Sequence, residues 1–158
     1  MSANVVTSSS REKQIPASAL VERFHRFLLI VSALLCVGTP VELWLADHYE
    51  SPPQMIPFAL CLIGLIVILW VVWKPTGAAV KTLRWVSLLL LVGSLFGGYE
   101  HLEGNIEFAR EIQPNAQLAD IFFEALKGAD PLLAPGILGL TAILAFAATY
   151  HHPALQSK

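Results

Sequence analysis

The chain has 158 residues, 55% of them hydrophobic and 14% charged, with a mean hydropathy of +0.61 and a formal net charge of -2. A soluble domain averages about 25% charged residues, so the composition points to a membrane protein. With no basic excess to neutralise phosphates, an ordinary nucleic-acid binder is excluded. Cys36 and Cys61 both lie inside apolar runs, which argues against a disulfide framework or a CxxC metal site and leaves them as small core residues.

Residues 1–20 are polar and Ser-rich, and are expected to form a disordered cytoplasmic tail rather than a signal peptide. A membrane domain is expected over 21–153, followed by a short cytoplasmic tail over 154–158. The first span is predicted at about 27–46, following Arg23, His25 and Arg26. Twenty residues at ~1.5 Å rise cover a hydrocarbon core of ~30 Å. Pro40 should kink this helix, and Glu42 falls inside its apolar sequence, before Leu43-Trp44-Leu45-Ala46 resumes. The polar turn Asp47 to Gln54 leads into a second span at about 55–73, which has no ionisable group and ends on an interfacial belt of Trp70 and Trp73. A loop from Lys74 to Arg84 then carries three cations.

The third span, about 85–103, starts at Trp85 but stays apolar only to Tyr99. Fifteen residues reach ~22 Å, short of the core thickness, so Glu100, His101 and Glu103 fall near its edge. Gly93 and Gly97 continue at the same spacing to His101 and Asn105, a face on which a neighbouring helix can pack closely. An amphipathic helix is predicted at about 116–127, with Leu118, Ile121, Phe122, Ala125 and Leu126 on one side, Asn115 as N-cap and Gly128 as stop. The fourth span is placed at about 132–150, before His151-His152-Pro153.

Four spans bring both termini to one side. Eight of the ten Lys and Arg lie on that side, whereas ten of the twelve Asp and Glu lie on the other. The positive-inside rule therefore makes both termini cytoplasmic. The expected fold class is all-α: a four-helix transmembrane bundle with an extra exoplasmic amphipathic helix.

Candidate chemistry gathers at the acid-rich end. Glu42 follows Arg26 by sixteen residues and Glu100 follows Arg84 by sixteen, so both carboxylates sit at a similar height, ~24 Å along straight helices. His101 is one residue further and His48 lies in the adjoining loop. Glu42, His48, Glu100 and His101 are the candidate ligands of a divalent metal, with Gln54, Tyr99 and Asn105 as orienting groups. The same set also suits proton or solute handling by an oligomer. The plain alternative is a scaffold in which Glu42 and His101 pair to lock helices and nothing binds. Glu103, Glu107 and Glu111 read as a solvated face. A haem would need facing imidazoles, His25 with His151 or His152, or His48 with His101; neither pair is embedded in the spans, which disfavours haem. No HExxH, Ser/His/Asp array or phosphate loop occurs, and no internal repeat of the transporter kind is visible. The expectation is a non-enzymatic protein, an accessory subunit that meets the lipid bilayer and a membrane partner or further copies of itself.

Glu42-Leu43, His48, Gln54 and Pro57, the run Tyr99 to Phe108, Leu133-Ala134-Pro135-Gly136 and His152-Pro153 together resemble a group of small, uncharacterised bacterial four-span membrane proteins. The resemblance covers most of the chain. It implies a bacterial origin and the same topology, and carries no activity and no functional residue.

Overall fold

The computed structural model describes residues 16–128 and 135–156. These are all-helical: α1 Ala17–Leu45, α2 Pro52–Trp73, α3 Gly77–Ile112, α4 Leu118–Ala125 and α5 Gly136–Ala147, with a 3-10 turn at Pro153–Leu155. α1, α2 and α3, at 29, 22 and 36 residues, are long and apolar enough to cross a membrane; α5 is apolar but has 12. The first part of the predicted fourth span, 132–134, lies outside the described residues, as does most of the expected N-terminal tail.

α1, α2, α3 and α5 pack as a ring in chain order, each against its two neighbours, and α5 closes on α1. α1 and α3 are thereby diagonal, with no Cα pair closer than 8 Å. The seam is built from small residues and branched aliphatics: Cys36 and Cys61, whose thiols meet, then Ile68, Val80, Leu83 and Leu90, and on α5 Ala142 and Ala145. Outside it, Leu34, Leu62, Leu95 and Ile143 are more than half exposed on four different helices. Apolar surface on every side suits a protein solvated by lipid. Hydroxyls in the core are satisfied within their own helices: Ser32 donates to Leu28 O, Ser87 to Leu83 O and Thr141 to Ile137 O, each at 2.8 Å. Trp44 is exposed near one end of the bundle, and Trp73 and Trp85 near the other, as two aromatic belts would be.

Several boundaries differ from the sequence expectation. The last four residues of the expected tail are helical, because α1 starts at Ala17, just after Pro16. Only Lys74-Pro75-Thr76 links α2 to α3, since the Thr76 hydroxyl accepts from Ala79 N at 3.2 Å and caps a helix that begins at Gly77. Lys81 and Arg84 therefore belong to α3, not to a loop. Gly77 is a forced choice: a Cβ there would lie 2.9 Å from Ala154 O of the C-terminal turn. At its far end α3 runs on to Ile112, so its whole length is ~54 Å. α4 packs on this extension, burying Ile121 and Ala125. Its N-cap is Gln117 rather than Asn115, because Pro114-Asn115-Ala116 forms a turn closed by Ala116 N donating to Gln113 O.

At the basic end, His152 precedes the 3-10 turn, and its Nδ1 accepts from Ala154 N at 3.2 Å. Its ring stacks on that of His25 at 5.5 Å between centroids. His25 is 6% exposed, and its Nδ1 has no hydrogen-bond partner among the described residues. Burial, then the neighbouring His25, holds the His152 imidazole below its ordinary value of 6.5, while Glu22 pulls the other way. A base with a depressed folded pKa binds fewer protons folded than unfolded. Its contribution to stability is present above 6.5 and is lost as pH falls below it. Protonation of Nδ1 would also abolish the bond from Ala154. We therefore expect thermal stability to fall between pH 7 and pH 5, and His152→Asn, which still caps the turn but does not titrate, to flatten that slope. A melting series of both proteins checks this; equal slopes would refute it.

Candidate functional site

α1 continues through Pro40 and stops at Leu45 with a backbone device that aims His48. Asp47 adopts a left-handed conformation with φ 52°. Asp47 N donates to Trp44 O at 3.2 Å and His48 N to Leu43 O at 2.9 Å. This pairing is a Schellman motif, normally closed by glycine, with aspartate standing in the glycine's place. The residue after the left-handed one turns back toward the helix, and here that residue is His48, which is half-buried.

The remainder of the loop is tied down on both sides. Tyr49 OH donates to Asp47 Oδ1 at 2.9 Å. That bond, with the charge behind it, raises the Tyr49 phenol above its ordinary 10.0. Gln54, expected to orient a ligand directly, instead spends Oε1 on the start of α2, accepting from Glu50 N at 2.7 Å and Ser51 N at 3.0 Å. It fixes the loop that carries His48 rather than touching the site.

The partner ring comes from α3. Although α1 and α3 are diagonal, the loop crosses the gap: the rings of His48 and His101 are 6.0 Å apart between centroids and tilted by 56°. For comparison, two imidazoles on one zinc ion, at ~2.0–2.1 Å per bond, have centroids about 5 Å apart at a tetrahedral angle and about 6 Å apart when the angle opens. The observed 6.0 Å lies at the wide end, reached only when the angle opens to about 140°, so the rings close by about 1 Å to bind an ion tetrahedrally.

The carboxylates do not join this pair. Among the described residues no three His, Cys, Asp or Glu side chains stand close enough to hold a metal ion. Glu42 is exposed in the last turn of α1, and Glu100 is half-buried on α3. The equal heights counted from the two arginines ignore azimuth, and the diagonal placement of the two helices keeps their backbones apart. Tyr99, Glu103, Glu107 and Glu111 are exposed.

The glycine face of α3 is used as close-packing surface. A Cβ on Gly93 would strike Leu60 of α2, and one on Gly97 would lie 3.0 Å from Pro135 Cβ at the start of α5. Between them Ser94 donates to Pro135 O at 2.9 Å. Asn105, further along the same face, is 3% exposed and lies against Gly128, so it belongs to the α3–α4 junction.

One feature of the basic end has no sequence signal, and another is open between two partners. Arg84 binds Thr149 across 65 positions, and sequence periodicity says nothing about such a pairing. The His25–His152 stack was foreseeable only as one of several histidine combinations.

Searches against family models, curated proteins and solved structures give no match.

Proposed function

We propose that this is a non-enzymatic four-span protein of the bacterial inner membrane, with both termini cytoplasmic, that binds a divalent cation between His48 and His101 at its outer end. It would act as an accessory subunit of a larger membrane assembly. The observation that carries this reading is the 6.0 Å ring pair. His48 stands on a hydrogen-bonded loop and His101 on a long helix, so two imidazoles are held near each other before a cation arrives. Imidazole suits zinc and neighbouring transition metals, with water filling the remaining coordination positions. The excess of acids at this end raises the local cation concentration. In this arrangement α5, with the residues flanking it, is the fourth span.

Metal analysis of the purified protein tests the reading. We expect close to one transition-metal ion per chain in the wild type and loss of it in both His48→Ala and His101→Ala. A metal-free wild type after growth in zinc-, iron- and copper-supplemented media would reject it. Topology is checked separately with a reporter fused after Lys158, which should be active only on the cytoplasmic side; an external signal would invert the orientation.

A scaffold without a ligand is the second reading, favoured by the failure of a third donor to join the pair. In that case Glu42, exposed at the rim of α1, serves as a contact for a partner. It predicts that Glu42→Gln weakens co-purification of a partner while metal content stays at zero.

A further inference from the structure

The basic end carries a groove separate from the histidine pair. It opens between α3 and α5, with a volume of about 720 Å³, and is walled by Leu88, Leu91, Ile143 and Phe146, with Lys81 and Arg84 at its mouth. Leu88, Ile143 and Phe146 are all exposed, so the trough faces the surroundings rather than the core.

Its mouth is built with care for geometry. Arg84 Nε donates to Thr149 Oγ1 at 3.0 Å, and Nη2 donates to Thr149 O at 3.1 Å. Thr149 is itself 1% exposed, and its hydroxyl donates onward to Phe146 O at 2.7 Å. The guanidinium carbon is 5.9 Å from the centre of the Phe146 ring. Arg84 is thus half-buried and clamped in place, yet no carboxylate pairs with it or with Lys81 among the described residues. A fixed, half-buried guanidinium with no carboxylate beside it among the described residues is a ready partner for an anion such as a phosphate. Trp85 beside it is 69% exposed, and tryptophan is enriched at the headgroup level of bilayers.

We propose that this groove binds one anionic phospholipid, with an acyl chain along Leu88, Leu91 and Ile143 and the headgroup phosphate on Arg84 and Lys81. An amphiphile with negative charge at one end complements an apolar trough with a positive mouth, and basic pockets between spans on the cytoplasmic side recognise such headgroups. A second copy of the chain fits less well. Two copies related by a two-fold axis along the membrane normal would bring Lys81 and Arg84 toward their own symmetry mates, like charge against like.

Native mass spectrometry of the full chain, released from detergent with phosphatidylglycerol or with phosphatidylcholine of the same acyl chains, reads the preference directly. The wild type should retain phosphatidylglycerol at least about tenfold better, and Lys81→Gln and Arg84→Gln should each reduce that ratio about fivefold. Ile143→Trp fills the groove without touching the cations and should lower phosphatidylglycerol retention as well. Arg84→Gln also breaks the Thr149 clamp; if it does not fold, Lys81→Gln and Ile143→Trp decide the matter. Equal retention of the two lipids by the wild type would overturn the proposal, as would a preference unchanged in the folded variants. A wild-type dimer that Ile143→Trp splits into monomers would assign the groove to a second copy instead. Metal binding at the histidine pair is unaffected by any of these results.

Discussion

Gly128→Ala should destabilise the protein while Gly98→Ala does not, although both add one methyl group. A Cβ on Gly128 would collide with the side-chain amide of Asn105 and lie 2.8 Å from Asn105 Cβ. Asn105 is buried on rigid α3, so the clash is relieved only by pushing the end of α4 away. Overpacking of this kind costs about 1–3 kcal/mol, and a melting temperature several degrees lower is expected. Around Gly98 nothing lies within 4 Å of the added carbon, and a helical Gly→Ala change with open space gains up to about 1 kcal/mol from reduced backbone entropy. Melting curves of the two variants give the sign of each effect. Limited proteolysis between α3 and α4 should also speed up in Gly128→Ala alone. Equal behaviour of the two variants would mean that α4 does not pack on α3 as described.

The helical class and the three helices long and apolar enough to cross a membrane are legible because apolar length is a strong signal. Two other features were read less well. One was the start of α3. Lys81 and Arg84 looked like loop residues because cations in a hydrophobic chain usually mark an interface, but Thr76 caps a helix that begins before them. The other was azimuth. Counting residues from Arg26 and Arg84 gives height along a helix and nothing about which helices are neighbours. The diagonal placement of α1 and α3 separates Glu42 from the helix that carries Glu100. His48 reaches His101 for a reason the sequence does not advertise: Asp47 occupies the left-handed position where glycine would normally announce a helix stop. Asn105 and Gln54 stand out in the sequence for their polarity, and each serves a structural end, one under Gly128 and the other capping α2.

The second large effect concerns the histidine pair, where either ring alone is a weak ligand. Two preset imidazoles bind one ion as a chelate, and removal of one also removes the entropic advantage of the other. His48→Ala and His101→Ala should therefore be equally damaging, and the double variant should be little worse than either single one. Glu42→Gln and Glu107→Gln, on exposed carboxylates that form no three-ligand cluster with the rings, should leave affinity within about a factor of two. That contrast separates a specific imidazole site from general attraction of cations to an acidic surface, which would respond to the glutamates and be screened by salt.

Calorimetric titration of zinc into the purified metal-free protein at neutral pH is the most direct test. The wild type should bind one ion per chain, and each of His48→Ala and His101→Ala should weaken that binding by at least about 100-fold, given that even outer-shell losses cost 10–100-fold. Wild-type affinity retained in either histidine variant, or no saturable binding in the wild type, would contradict the assignment of His48 and His101 as a metal site.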